Sequence, residues 1–528
     1  MPESYPEFLK RIKVFSIFFF YSILIGIPIW LNTTSIEKRE LPVNKLQELE
    51  EAFKIDFDIP IILSFMGTDF DESLINETQV LIDEELGKFN NGGLISYHLQ
   101  LKTADATLEE DLQTDEHHCE LYLEKSEDED RVFVSPFTKK MNLYVSELTR
   151  VNGNTSKFIS NFLIHDLFKD EIDTLLKSEK NFEANKEEEN FTRSGSASES
   201  GSGTEIDDLL TISYSPHYKL VFNLINEDGV KIGWDIEHSV EKYFKNLVAQ
   251  LDRYADFSID TNIQYYCDLN IDESGLTPSD NEAGFLLTNK ELSTFINYND
   301  WNLNNNGFND YSQVINFIVY IPRGDRPLFI ENSKSNSFII PKWGSIQLLN
   351  LNKLKKDFLD EVDLLPILEN FSSELFSLLG IPVKSASKNL SINIEFKMRS
   401  IIVSNLLNTF KNLSNLVKLT KNLKNISIPM ETLVNFEKSL KYYETTIEFL
   451  NDSKFNKALK ASSLALYNSD QAFFDKNMIQ QVYFPDEHKL AVYTPLIGPI
   501  LTTMALSLIK CLKDFRKIKQ DIHDKKKK

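Results

Sequence analysis

Residues 218 to 266 contain YKLVFNLIN (Tyr218–Asn226), WDIEHSVEKYFKNLVAQL (Trp234–Leu251) and SIDTNIQYY (Ser258–Tyr266). The first is an apolar run of strand length. In the second, Ile236, Val240, Tyr243, Phe244, Leu247 and Leu251 fall on one helical stripe, and Asp235 stands where a cap for the first turn belongs. The third again has strand length. This strand, helix, strand order predicts an α/β lobe. An earlier copy runs from Ile59–Phe65 through a helical pattern of Leu74, Thr78, Leu81 and Leu86 to Leu94–Leu99. Two lobes follow, with further strands expected at Cys119–Leu123, Asn142–Ser146, Val314–Ile321 and Leu328–Ile330.

Between the lobes, Ser178–Asp208 is charged and then Ser/Gly-rich, with little to bury, and reads as a mobile linker. Asn297–Asn309 reads as a polar loop of the second lobe. After about Asn350 the pattern turns helical. Val403, Leu406, Phe410, Leu413 and Val417 alternate steps of three and four, as do Leu433, Phe436, Leu440, Tyr443, Ile447 and Leu450. Such short stripes predict an antiparallel hairpin with its turn near Ser427 and Pro429.

The two ends differ from this body. Val14–Leu31 (VFSIFFFYSILIGIPIWL) is uncharged and would span about 27 Å as a helix, close to the hydrocarbon thickness. A cleaved signal peptide is the rival reading, but no small-x-small pattern follows the run. Leu490–Ile509 is likewise uncharged and holds Pro495, Gly498 and Pro499, which a bilayer tolerates when neighbouring helices satisfy the freed carbonyls. A buried core helix is its rival, disfavoured by the basic cluster beginning at Lys510. The net charge is −22, yet residues 1–13 carry +1 and residues 510–528 carry +6. An acidic body argues against nucleic-acid binding. The basic flanks place both termini in the cytoplasm by the positive-inside bias, and the body on the lumenal side.

The expected order is a cytoplasmic N-terminus (1–13), a span (14–31), a first lobe (32–177), the linker (178–208), a second lobe (209–350), a helical region (351–489), a second span (490–509) and a basic tail (510–528). Glycosylation acceptors at Asn76, Asn154, Asn190, Asn370, Asn389, Asn412, Asn425 and Asn451 all lie between the spans. A ninth, Asn32, abuts the bilayer. Lys525 and Lys526 stand fourth and third from the C-terminus, the dilysine pattern that retrieves membrane proteins to the endoplasmic reticulum.

Chemistry-bearing residues are sparse. Cys119 and Cys267 have the right compartment for one bridge, but spacing supplies no geometry. His117-His118-Cys119 resembles a metal motif, yet adjacent ligands on a strand point to opposite faces and no second pair stands at usable spacing. Periodicity does not tell whether either thiol meets His165, His217 or His238. None of G-x-S-x-G, G-x-x-x-x-G-K, H-E-x-x-H or G-x-G-x-x-G is present. Neither a cofactor nor a metal is expected.

A resemblance covers nearly the whole chain. Gly26-Ile27-Pro28-Ile29-Trp30-Leu31-Asn32-Thr33-Thr34, Trp234-Asp235-Ile236-Glu237, Phe257–Asp260, Asn316–Pro322, Pro327–Ile330 and Pro341-x-Trp343-Gly344 recur in order, followed by Ala472–Asp475 and Tyr483–Tyr493. In these stretches the chain resembles the PIG-S family, a subunit of the complex that attaches glycosylphosphatidylinositol (GPI) to proteins in the endoplasmic reticulum. The resemblance implies a non-catalytic assembly role, because the transamidation cysteine belongs to another subunit. It also implies a cysteine-protease-like chain and multi-span subunits as partners, with the precursor protein and GPI lipid nearby. The assembly segment would be Tyr483, Phe484, Pro485, Tyr493, Pro495, Gly498 and Pro499. The rival functions are a stand-alone lumenal hydrolase or transferase, and a folding or cargo adaptor.

Overall fold

The computed structural model describes residues 5–21, 39–51, 54–65, 73–90, 93–103, 118–127, 129–191, 210–267, 284–292, 312–324, 326–351, 357–382, 389–422, 428–476 and 486–527, with a few isolated positions between them. The chain divides into two compact units, one of residues 51–408 and 441–466, the other of residues 1–50, 409–440 and 467–528.

The first unit holds both expected lobes. In the first lobe, β1 (Ile55–Phe65), β2 (Ile95–Thr103), β3 (Cys119–Ser126), β4 (Arg131–Val134) and β5 (Lys140–Ser146) form a sheet of order β2-β1-β3-β5-β4. All neighbours are parallel except β4, which folds back on β5. Helix α1 (Tyr5–Tyr21) and α2 (Val43–Glu51) precede this sheet in sequence, and α3 (Ser73–Asn90) links β1 to β2.

The second lobe repeats the plan. β6 (His217–Asn226), β8 (Asp256–Tyr265), β11 (Ser312–Ile321), β13 (Ser337–Ile340) and β14 (Gly344–Leu348) are ordered β13-β14-β11-β6-β8, with only β13 antiparallel. In each lobe the first strand lies between the second, at one edge, and the third. An antiparallel edge strand closes each sheet beyond the fourth parallel strand. β6 is buried along almost its whole length, as a parallel strand covered on both faces must be. On one face Phe222 and Phe317 stack at 5.3 Å, and Phe317 meets Phe371 at 5.0 Å. On the other, Ile318, Tyr320, Ile346 and Leu348 bury against Leu287, Leu328 and Ile330, which belong to a small sheet of β9 (Thr277–Pro278), β10 (Phe285–Leu287) and β12 (Leu328–Ile330).

After β7 (Gly233–Trp234), which pairs in parallel with β15 (Phe358–Leu359), the expected helix forms as Ile236–Ser239, a π turn at Val240–Phe244, and Lys245–Leu251. Ile236, Val240, Phe244 and Leu251 are buried as the stripe requires. Asp235 precedes it, but its side chain makes no cap bond.

The linker expectation is corrected over its first part. Helix α4 (Lys169–Phe191) runs through Ser178, because Leu175 and Phe182 are buried and Glu179 accepts from the backbone N–H groups of Leu94 and Ile95 at the start of β2. The Ser/Gly-rich remainder and the loop at 297–309 lie outside the described residues.

The helical region contains more than a hairpin. It comprises α5 (Glu361–Leu379), α6 (Leu390–Asn422), α7 (Met430–Asn451), α8 (Phe455–Phe473) and α9 (Asp486–Lys527). α5 starts with a capping box between Asp360 and Asp363 and ends at Gly380, whose φ of +66° is the left-handed form that glycine adopts freely. The expected stripes are the buried faces of α6 and α7, with Leu433 and Ile447 half-buried. α6 and α8 also share polar rungs. Asn405 Nδ2 donates to Ser462 Oγ at 3.1 Å, and Asn412 Nδ2 donates to Ser469 Oγ at 3.2 Å. The equal offset means that α6 and α8 run parallel, with α7 returning between them in sequence.

At the ends, α1 carries Val14–Tyr21, the first part of the apolar run, and most of the run beyond it lies outside the described residues. The second apolar run and the basic stretch after it lie on one helix, α9, which continues from Asp486 to Lys527. Among the described residues no helix is both long and apolar enough to cross a membrane.

A Cβ placed on Gly344 would lie 2.0 Å from the carbonyl oxygen of Asn316 across the β11–β14 ladder. We expect Gly344→Ala to cost more than about 2 kcal/mol, because only backbone movement relieves that overlap. Gly87→Ala is the control, since nothing lies within 4 Å of its Cβ. It should be neutral or stabilising by up to about 1 kcal/mol. Thermal unfolding of the purified chain in detergent measures both.

Candidate functional site

Several buried charges converge where the first lobe meets α6. Helix α6 starts on the β4–β5 turn. Asn389 Nδ2 donates to the carbonyls of Ser135 and Thr138 at 2.6 and 2.7 Å, and its Oδ1 accepts from Ile392 N–H at 2.9 Å. Leu390 N–H and the Ser391 hydroxyl donate to the carbonyls of Pro136 and Phe137. Two turns on, Glu395 and Arg399 point inward. Arg399 is 1% exposed, and its Nε and Nη2 donate to the two oxygens of Glu171 on α4 at 2.5 and 2.8 Å. The guanidinium stacks over Phe455 at 5.2 Å. Burial alone would lower the Arg399 pKa, but the carboxylates of Glu171 and Glu395 outweigh it and hold the guanidinium charged. Glu395 also pairs with Lys139 of the first lobe and lies 3.8 Å from Arg253, just before β8 of the second.

None of the three buried charges, Glu171, Glu395 and Arg399, is among the residues the sequence patterns mark. The signal was present, because the stripe of Val403 and Leu406 continues backwards through Arg399, Glu395 and Ile392. Charges in an apolar register imply buried partners.

Cys119 sits in this region, buried in β3. Burial, reinforced by the Glu395 carboxylate, pushes its thiol pKa up to about 12. Cys267 follows β8 in the other lobe, half-buried, with its pKa also raised by burial. Both are free thiols, so the bridge left open by the sequence does not form. His165, His217 and His238 are exposed. His217 Nδ1 is 3.1 Å from Asp256 and His238 Nε2 is 3.7 Å from Glu361. His118 Nε2 is 3.8 Å from Glu120, while Cys119 faces the core.

In an open parallel sheet, ligands favour the carboxyl ends of the strands where the order reverses. In the second lobe that position lies between β6 and β11. Glu227 occupies it, fully buried, accepting from Arg323 N–H at 3.0 Å and pairing with the buried Arg326 guanidinium. The crevice holds an internal ion pair.

The acceptor asparagines divide by environment. Asn76 on α3, Asn154 ahead of Thr155 and Asn451 at the end of α7 are exposed. Asn370 is half-buried, and Asn412 is half-buried with its amide donating to Ser469 and Asp470. Asn389 is buried with both its amide hydrogens and its oxygen engaged, which leaves no room for a sugar in this fold. Asn425 and the side chain of Asn190 lie outside the described residues, as do Tyr483, Phe484, Pro485 and the side chains of Tyr493, Lys525 and Lys526. Pro495 and Pro499 are exposed within α9, and among the described residues nothing lies within 4 Å of a Cβ built on Gly498.

The buried polar side chains of Glu171, Glu227, Asn389 and Arg399 join elements of this chain to one another. The family model described as phosphatidylinositol-glycan biosynthesis class S protein, PIG-S, matches residues 17–518. The chain belongs to the PIG-S family. It is 27% identical over 519 residues to the GPI transamidase component PIG-S homolog of Schizosaccharomyces pombe, covering 96% of this chain and 84% of that one. It is 25% identical over 520 residues to the GPI transamidase component GPI17 of Saccharomyces cerevisiae, covering 93% and 90%. To the GPI-anchor transamidase component PIGS of Homo sapiens it is 28% identical over 324 residues, 57% of this chain and 58% of that one.

Removing one member of a buried pair strands its partner's charge. We expect Arg399→Met to destabilise the chain by about 3–5 kcal/mol, and Glu171→Met added to it to recover much of that loss. Urea unfolding of the two variants beside the parent checks the pattern. Equal losses in the single and double variants would contradict the pairing.

Proposed function

We propose that this chain is a non-catalytic assembly subunit of the GPI transamidase in the endoplasmic reticulum membrane, supporting attachment of GPI anchors to precursor proteins. The observation that carries the reading is family membership over residues 17–518, with fungal relatives matched nearly end to end and named as components of that enzyme. The chemistry of the lumenal thiols agrees with it. A nucleophilic cysteine needs thiolate character and access, whereas Cys119 is sealed in a sheet with its pKa raised. The catalytic cysteine then belongs to a partner, a cysteine-protease-like chain held with multi-span subunits, and the precursor and GPI lipid pass nearby.

In this reading the apolar runs at 14–31 and 490–509 cross the membrane, both basic flanks are cytoplasmic, and the body from 32 to 489 is lumenal. Lys525 and Lys526 act as a retrieval signal. The surface for assembly is the first half of the membrane-crossing run of α9. Gly498 has no Cβ to hold a neighbouring helix away, and Pro495 and Pro499 leave carbonyls that a partner helix can satisfy.

The topology has a direct test. Tags at both termini should be cleaved by protease added to sealed microsomes while the body is protected. Endoglycosidase treatment should shift the chain, with Asn76→Gln, Asn154→Gln and Asn451→Gln each removing one step. No glycan shift and a protected terminus would refute the two-span arrangement.

The assembly role has another. Cys119→Ser, Cys267→Ser, His165→Ala, His217→Ala and His238→Ala should leave surface display of a GPI-anchored reporter near normal. Gly498→Leu should reduce both display and co-purification of the complex several-fold, without altering expression. Loss of display from a single Cys or His change, with the complex intact, would instead make this chain a lumenal enzyme.

A further inference from the structure

Helices α1 and α9 lie beside one another in the unit that holds both chain ends. Between them is a cleft of about 550 Å³ lined by Lys10, Val14, Phe15 and Phe18 of α1 and by Ser507, Lys510 and Cys511 of α9. The spacing makes each contribution one helical face. Lys10, Val14 and Phe18 recur every four residues, and Ser507 precedes Lys510 by three. The helices enter and leave the apolar runs in opposite senses. α1 passes from Lys10 into Val14 and Phe18, whereas α9 passes out through Ser507 to Lys510.

Both lysines therefore line one cavity at the basic end, while Phe15 and Phe18 line it on the side of the apolar run. Two like charges sharing a cavity are stabilised by an anion between them. Val14, Phe15 and Phe18 belong to the apolar run that crosses the membrane in this reading, so an anion seated between the lysines against that wall is one that carries hydrocarbon. Lys10 and Phe18 are eight residues apart, about 12 Å along a helix, a rise that separates a headgroup from the upper part of an acyl chain. Two cations also favour a headgroup without a positive charge of its own.

We propose that the α1–α9 cleft binds one anionic glycerophospholipid of the cytoplasmic leaflet. Its phosphate lies between Lys10 and Lys510 with the Ser507 hydroxyl as a further donor, and one acyl chain lies along Val14, Phe15 and Phe18. This rests on the two-span reading, which puts the cleft at the cytoplasmic boundary, where anionic lipids concentrate. It assigns the paired basic ends a second task beyond orientation, since a bound lipid clamps the first and last helices of the chain together.

The test uses the intact complex, delipidated in mild detergent and placed in phosphatidylcholine nanodiscs with a graded fraction of phosphatidylinositol. Native mass spectrometry counts the lipid retained on this chain. The wild type should retain one phosphatidylinositol in preference to phosphatidylcholine. Lys10→Gln/Lys510→Gln should lower retention at least ten-fold, and Lys513→Gln/Lys517→Gln, outside the cleft, should leave it unchanged. A phosphatidylinositol with a photoactivatable acyl chain, used on the wild type, should label peptides containing Phe15 and Phe18, and this arm stands even if the cleft variant fails to assemble. Equal retention by the cleft variant, equal retention of phosphatidylcholine, or labelling elsewhere would overturn the proposal. Terminal tags in the same preparations separate the two readings. Accessible tags without retention remove the lipid site alone, and protected tags remove the two-span arrangement together with it.

Discussion

Arg399 lies in the apolar register of α6, and a guanidinium at 1% exposure is tolerable only with its charge answered by carboxylates. The lobes supply those answers. Glu171 comes from α4 of the first lobe, and Glu395, one turn away on α6, faces Lys139 of the first lobe and Arg253 of the second. An apolar contact at this point would accept many rotations of α6 about its axis. The bidentate pair accepts one, and with Asn389 holding the first turn it fixes where the long helix starts and which face it buries.

The lobes themselves follow from periodicity. Strand-length apolar runs beside helical stripes marked β1, β2, β6 and β8 within a few residues of their observed limits, and Leu328–Ile330 forms just as its pattern suggests. Repetition of the plan was only partly readable. Strand and helix succession is written in local pattern, whereas the placement of β13 against β14 and of β4 against β5 depends on ladders that form only after the central strands pair. The same limit explains α4. Ser178 to Phe191 looks like a linker by composition, yet Glu179 is needed by two backbone N–H groups contributed from more than eighty positions earlier.

Sites were less legible than elements, for the same reason. That Cys119 is sealed, that Glu227 fills the carboxyl end of β6 and that His217 pairs with Asp256 are facts of tertiary neighbourhood. Missing motifs directed attention away from reacting groups, while family likeness supplied the biological context that spacing lacked. The buried charges of α6 were the exception, since their register alone could have revealed them. The capping box of α5 was another readable signal, with Asp360 and Asp363 at the spacing that a helix start prefers.

Asn389 has two claims on one nitrogen. Its side chain is an acceptor for a sugar by local sequence and a bracket for α6 by fold, and Nδ2 serves one purpose or the other. A molecule modified there while still extended would lack the two hydrogen bonds to the β4–β5 turn and would carry bulk where the chain closes. In the described fold that nitrogen is spent on the bracket, so a sugar at Asn389 and the closed start of α6 exclude one another.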